Sequence, residues 1–185
     1  MSNSGRLIIV SGLSGVGKGT VIRKYLELYP GESVLSISAT SRPPRPGEEE
    51  GKAYFFKTRQ EFEDMIEKDL FLEHACFVGE YYGTPKEFVY EQMGAGKNVI
   101  LEIEQQGAFQ VKAKEPSAVM IFMMPPCEEE LVRRLRERGS ETEEQIRRRL
   151  ERGKVERENI GLYDHVIVNE DVEKSAQMLH NIMRS

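Results

Sequence analysis

Residues 6–20 read Arg6-Leu7-Ile8-Ile9-Val10-Ser11-Gly12-Leu13-Ser14-Gly15-Val16-Gly17-Lys18-Gly19-Thr20. Leu7 to Val10 is a short apolar run rich in β-branched side chains, the pattern of a strand buried on both faces. Gly12, Gly15 and Gly17 then permit tight turns that bulkier residues resist. From Thr20 the spacing turns helical, with Val21, Ile22, Tyr25 and Leu28 on one side. Strand, glycine-rich loop and helix in succession let loop amides converge on an anion at the positive end of the helix. Gly12, Gly17 and Lys18 have the Gly-x4-Gly-Lys spacing of the phosphate-cradling loop, whose lysine reaches the β- and γ-phosphates. Gly12, Leu13, Ser14, Gly15, Val16, Gly17, Lys18, Gly19 and Thr20 are thus expected to surround a nucleoside triphosphate.

One position departs from that pattern. Gly19 stands where Ser or Thr would offer Mg²⁺ a hydroxyl, and Thr20 comes one residue late, about 100° further round a helix. Mg²⁺, arriving as Mg-ATP, is expected to rest on phosphate oxygens and water, with no direct protein ligand.

Outward from this stretch, 185 residues suffice for one domain with a sizeable core or a core plus inserted subdomains. Lys and Arg number 26 and Asp and Glu 31, a formal charge of −5, which argues against a general basic face for nucleic acid or anionic membrane. Cys76 and Cys127 lie in no CxxC and have no neighbouring histidine, so both read as reduced thiols. No apolar run approaches the roughly 20 residues of a membrane span. Met1-Ser-Asn-Ser-Gly5 lacks a signal-peptide pattern, so the expected location is the cytoplasm. His74, His165 and His180 show no metal-ligand spacing.

After the first helix, Tyr29-Pro30-Gly31 is a stop signal, and 33–37 reads as a strand. Pro and Gly exclude 38–47, with Arg42 and Arg45, from regular structure. Two arginines on a proline-stiffened loop lose little entropy on gripping an anion. Residues 50–80 break the alternation of strands and helices: 53–56 and 70–78 read as strands, 59–68 as a helix and 81–85 as a turn. This is expected to be an inserted α+β lobe, in which Glu73 is either functional or an edge-strand carboxylate in water. A short helix at 86–93 closes that lobe, and the rhythm resumes with a strand at 98–104, whose Glu102 and Glu104 alternate onto one face. An acidic strand end after a phosphate loop is where a group orienting hydrated Mg²⁺ is expected, and Glu102 is its candidate. A helix at 105–113 and a strand at 118–123 follow. Residues 128–158 are dense in arginine, with a capping box Thr142-x-x-Gln145 opening a helix. Such a run is either a solvated face or a hinged, arginine-bearing segment that closes over phosphates. A strand at 165–168 and a helix at 172–183 complete the chain.

A triphosphate site, an Arg-Arg loop, an inserted lobe, an acidic strand end and an arginine-rich hairpin are what moving a phosphoryl group between two nucleotides requires. Catalysis of that kind is positioning plus cationic stabilisation, without a covalent nucleophile.

The same residues carry a resemblance. Residues 11–20, Ser-Ala-Thr-Ser-Arg-Pro-Pro-Arg-Pro-Gly-Glu at 38–48, Gly51-Lys-Ala-Tyr54-Phe-Phe, Phe71-Leu-Glu73, Tyr81-Tyr82-Gly83-Thr84, Leu101-Glu-Ile-Glu-Gln-Gln-Gly107 and Arg138-Gly-Ser-Glu-Thr-Glu resemble the guanylate kinases, in order, from about Arg6 to the end. The resemblance implies an α/β fold: a three-layer αβα phosphate-loop core with a parallel central sheet (1–37, 93–138 and 160–185), a GMP-binding lobe (38–92) and an arginine-rich helical lid (about 139–159). It implies the reaction ATP + GMP to ADP + GDP. Arg42, Arg45, Tyr54 and Tyr82 would hold the GMP phosphate, and Ser38, Glu73 and Thr84 the guanine. Lys18 and Arg42 would be catalytic, with Arg134, Arg138 and Arg149 as lid arginines on the ATP phosphates. Asn169 would lie near the adenine. Glu104 stands where the family usually has Asp, which leaves its contact open between a metal-bound water and the guanine amino group.

Chemistry supports Glu73 independently. Guanine presents N1–H and N2–H₂ side by side, which one carboxylate accepts together, whereas adenine would leave that carboxylate unpaired. Two alternatives stand beside this reading. One is a non-catalytic guanylate-kinase-like binding module, against which the intact Lys18 and glycines argue. The other is a kinase of the same architecture with a different monophosphate acceptor, against which Glu73 and Thr84 argue.

Overall fold

The computed structural model describes residues 4–137, 139 and 142–185. In chain order the elements are β1 (Leu7–Gly12), α1 (Lys18–Leu28), β2 (Ser33–Leu35), β3 (Ala39–Thr40), β4 (Phe55–Phe56), α2 (Arg59–Glu67), β5 (Phe71–Phe77), β6 (Glu80–Pro85), α3 (Lys86–Gly94), β7 (Asn98–Glu102), α4 (Gln105–Lys114), β8 (Val119–Met124), α5 (Glu128–Glu137), α6 (Glu143–Glu158), a 3₁₀ turn (Ile160–Leu162), β9 (His165–Val168) and α7 (Val172–Arg184).

Five strands form a wholly parallel sheet in the order β2-β7-β1-β8-β9. β1 is its centre, and all six of its residues are buried, as an uninterrupted apolar run requires when both faces of a sheet are covered. α1 and α7 pack on one another, and α4 packs against β1. In open α/β sheets, ligands bind beyond the carboxyl ends of the strands, where the chain order diverges. Here that crevice lies at the end of β1, between β7 and β8, where the phosphate loop begins.

The second sheet has four strands in the order β4-β3-β6-β5 and its own small core. Phe62 of α2 stacks on Phe71 of β5 at 4.4 Å and on Tyr81 of β6 at 5.3 Å. α2 begins with a full capping box, Thr58 and Glu61. The pairing of β5 with β6 shifts between Phe71 and Glu73, so that Glu73 faces Thr84 directly. That bulge lets consecutive residues, Leu72 and Glu73, both be buried in one strand.

The structure corrects several sequence expectations. Residues 80–85, read in part as a turn, are the strand β6. Tyr82 and Tyr81 face β3 and β5 there, and the main-chain pairing outweighs the punctuation of Gly83 and Pro85. Ala39–Thr40, placed in an irregular segment, is a two-residue strand. The first sheet's strand at 98 ends at Glu102, and Glu104 is the N-cap of α4, so the two carboxylates do not alternate along one strand. Leu28 is 37% exposed at the frayed end of α1. Among the described residues, no helix is long and apolar enough to cross a membrane, and no group of His, Cys, Asp and Glu is arranged to hold a metal. Cys76 and Cys127 are free and exposed.

Candidate active site

The loop between β1 and α1 turns through three left-handed glycines, with φ 137° at Gly12, 89° at Gly15 and 95° at Gly17. At Gly12 a Cβ would lie 2.0 Å from the Met123 carbonyl oxygen, so no side chain fits between the loop and β8. α1 starts at Gly17 with no side-chain cap and no acidic residue in its first turn. α2, α6 and α7 are capped by Thr58, Thr142 and Asp171, whereas α3 and α4, like α1, have no side-chain cap. An uncapped helix start facing a glycine loop leaves amide donors suited to an anion. The Lys18 ammonium lies across its mouth, donating to the carbonyls of Gly12 (2.8 Å) and Leu13 (3.2 Å).

Asn169 holds this loop from below. It is 1% exposed, and its Nδ2 donates to the Val16 carbonyl at 2.8 Å while its Oδ1 accepts from the Ser175 hydroxyl at 3.0 Å. Arg134 of α5 braces the same place, donating to Val16 O, Asn169 O and Glu130 at 3.1, 3.0 and 2.7 Å. Both residues therefore support the loop through its backbone, and both line a hollow beside Gly15, Gly17 and Thr20.

The Glu102 carboxylate lies against Gly19. Its Oε2 stands 3.0 Å from where a Cβ on Gly19 would be, and its Oε1 3.3 Å. A carboxylate on β7 thus stands in tight contact with the place a Cβ at residue 19 would take. Hard oxygen donors at the lip of a phosphate cradle suit hydrated Mg²⁺, which keeps several waters.

A cleft of about 430 Å³ runs from Gly12, Ser14 and Lys18 to Arg148, Arg149, Arg152 and Glu156 of α6. Arg149 donates to the Ser14 hydroxyl on the phosphate loop. Arg152 bonds Glu104 at 2.6 Å and Glu156 at 3.1 Å, so α6 reaches both the loop and the start of α4. Burial raises the Glu156 carboxyl above its ordinary value, against the pull of Arg152 and Lys18. Arg138 lies outside the described residues.

A second cavity of about 320 Å³ is lined by Ser38, Tyr54, Glu73, Tyr82, Glu102, Glu104 and Gly107, among others. At its floor Glu73 is 7% exposed and accepts the Thr84 hydroxyl at 2.7 Å on Oε1. Burial pushes its carboxyl pKa up, opposed by Thr84 and assisted by the nearby Glu104. At its rim the Arg42 guanidinium lies 5.5 Å over the Tyr54 ring, which meets the Tyr82 ring edge-on at 6.1 Å. Arg42 is held by Glu48 at 2.9 Å and by the Pro43 carbonyl at 2.7 Å, and the second Glu48 oxygen takes the Arg45 amide at 2.7 Å. Phe77 and Glu104 line both cavities, which therefore adjoin.

The arrangement can hold one polyphosphate at Lys18 and offer a second, smaller cavity with an anion-binding rim and an acceptor-only floor. A family model described as guanylate kinase matches residues 4–185. The chain belongs to the guanylate kinase family. It is 50% identical to a guanylate kinase of Nostoc sp. over 95% of this chain and 88% of the relative. With that of a Synechococcus strain it shares 46% over 97% of this chain and 82% of the relative. The crystal structure of guanylate kinase from Anaplasma phagocytophilum superposes with a TM-score of 0.75 at 36% identity, covering 98% and 85% of the two chains.

Within this family frame, sequence reasoning missed three residues. Glu48, which clamps Arg42, sits in a run of three glutamates that reads as solvated charge. Arg152, the partner of Glu104, is one arginine among many on α6, and only the fold selects it. Gly107 passes as an ordinary residue of a helix start.

Proposed function

We propose that the protein transfers the γ-phosphoryl group of ATP to GMP, giving ADP and GDP. The observation that carries this reading is the buried Glu73 carboxylate, fixed by Thr84, in a cavity that adjoins the Lys18 cradle. One oxygen of Glu73 takes the Thr84 hydroxyl, which leaves acceptor capacity directed at the N1–H and N2–H₂ edge of guanine. Ser38 and Glu104 line the same cavity and complete the base site; for Glu104 the guanine amino group is the contact we favour. Residues 38–92 form the acceptor lobe in this account, with Arg42, Arg45, Tyr54 and Tyr82 on the GMP phosphate. Arg42 gives two donors in a planar fork, suited to a phosphate.

The triphosphate of ATP would lie along residues 12–20, its β- and γ-phosphates on Lys18 once the ammonium leaves the Gly12 and Leu13 carbonyls. Glu102 is the residue that would orient a hydrated Mg²⁺ arriving with ATP, and that ion would supply charge neutralisation on the phosphate oxygens. An oxygen of the GMP phosphate attacks the γ-phosphorus, and the bond to the β–γ bridging oxygen breaks to leave ADP. Lys18, Arg42, Arg138 and Arg149 stabilise the charge of the transferring group, and residues 139–159 act as the lid that excludes water. Arg134 and Asn169 contribute from behind the loop, toward the adenine side. The product, a nucleoside diphosphate, belongs to the purine nucleotide pool.

Phosphorus NMR of the protein with Mg-ATP and GMP tests this directly. Resonances of ADP and GDP should replace those of ATP and GMP in equal amounts. Hydrolysis to ADP and free phosphate, or no change, would overturn it.

A further inference from the structure

We infer that Gly107 is a specificity-determining residue, acting as the gap in α4 that lets Glu73 keep its carboxylate on the base-reading face of the acceptor cavity. The inference rests on the proposed role of Glu73 and adds a second position to it. A Cβ at residue 107 would lie 2.7 Å from Glu73 Oε2, 3.2 Å from its Cδ and 3.3 Å from its Cγ. Glu73 Oε2 therefore stands closer than any side chain at 107 allows, with its Cδ and Cγ in tight contact behind it. Gly107 needs no positive φ, so backbone strain does not explain the glycine. The close approach does.

The direction in which such a conflict relaxes is fixed by its surroundings. Gly107 is buried in the first turn of α4, which packs on β1 and β5, so a retreat of the helix would disturb both contacts, whereas the end of a side chain moves more cheaply. The far end of Glu73 can move, but only by leaving the Thr84 hydroxyl at 2.7 Å or by swinging into the cavity where the base would sit. A methyl group at 107 thus leaves the fold in place and displaces the acceptor. Alanine also has a higher helix propensity than glycine, so the helix gains locally while base reading fails. Removing the side chain at 107 additionally lets the carboxylate approach the positive end of α4.

The test compares Gly107→Ala, Glu73→Ala and the double variant, reading ADP release with GMP and with AMP, the KM for ATP, and the thermal midpoint. Misplacement by about 1 Å costs up to roughly 100-fold. Gly107→Ala should therefore lower kcat/KM for GMP by roughly 10- to 100-fold, with ATP KM and thermal midpoint at or above wild-type values. In the Glu73→Ala background, where no carboxylate remains to be displaced, the glycine change should have no further effect. Wild-type kcat/KM for GMP in Gly107→Ala would overturn the inference while leaving the Glu73 reading intact if Glu73→Ala is impaired. An equal loss in both backgrounds would also overturn it, since Gly107 would then not act through Glu73. Undiminished GMP preference in Glu73→Ala would remove the base-reading account itself, and this inference with it.

Discussion

At the scale of single residues, the proposed acceptor cavity has Glu73 as its buried titratable group, with Glu102 and Glu104 also on its lining. Burial raises the Glu73 carboxyl, so its ionised form is lost at a higher pH than that of an exposed glutamate. A protonated carboxyl has one acceptor fewer for the two adjacent guanine donors. Affinity for GMP should therefore fall as pH drops through that raised value. GMP's own phosphate titrates as well, so the measurement is the ratio of wild-type to Glu73→Gln affinity across pH 4–8 by calorimetry, in which the phosphate cancels. The ratio should fall toward low pH; a flat ratio would contradict the role given to the carboxylate. The linkage sign is that of a raised acid: the native state binds the proton more tightly, so a stability penalty holds above the folded pKa and is relieved as pH falls through it. Glu73→Gln removes this penalty and should melt no lower than wild type at neutral pH.

At the scale of elements, the β5–β6 hairpin is where sequence reading and structure part most instructively. The central strands of the first sheet were legible because burial on both faces forces long apolar runs, as in Ile8, Ile9 and Val10. β6 was not, because Gly83 and Pro85 carry turn chemistry. Their reason is tertiary: a Cβ at Gly83 would stand 2.8 Å from the Glu73 carbonyl, and Pro85 is the last residue of its strand. The same limit hid a site partner. Motif spacing pointed to Lys18, and the family resemblance to Arg42, Glu73, Thr84 and Asn169, but the Glu48 carboxylate that holds Arg42 is picked out of its glutamate run only by the fold. The hairpin's turn also carries strain. Val78 has φ 50° and Gly79 φ 82°, and Val78 is 85% exposed. Two-residue turns with positive φ at both positions favour Asn-Gly, whereas a β-branched residue there is strained by about 1–2 kcal/mol. Val78→Asn should raise stability by about 1 kcal/mol, which is roughly 2–4 °C in Tm for a chain of this size. Calorimetry of the two proteins would read this, and an unchanged or lower Tm would contradict it.

At the scale of the whole molecule, the two sheets are tied by charge as well as by packing. Asp69, between α2 and β5, binds Lys86 at the start of α3 at 2.6 Å and Lys114 at the end of α4 at 2.9 Å. The two ammonium groups lower its carboxyl to about 2. A depressed acid contributes stability above its unfolded pKa and loses it as pH falls through the folded value. The urea midpoint of Asp69→Asn should thus lie below that of wild type above about pH 4, the difference closing as pH approaches about 2. A difference independent of pH would mean the ion pairs are not its source. On the same scale α6 links both cavities, through Arg149 on Ser14 and Arg152 on Glu104. If α6 acts as the proposed lid and Glu104 meets the base, as proposed above, binding of the base would have to displace Arg152 from Glu104, which would couple the two cavities.

The central claim is that the Lys18 cradle and the Glu73 cavity work together to phosphorylate a guanine nucleotide. Its most direct test is ADP release from Mg-ATP with GMP, AMP, CMP and UMP offered separately, to wild type and to Lys18→Ala. Turnover should occur with GMP alone and fall by about 100-fold or more without the lysine. Equal turnover with AMP, or GMP turnover that survives Lys18→Ala, would contradict it.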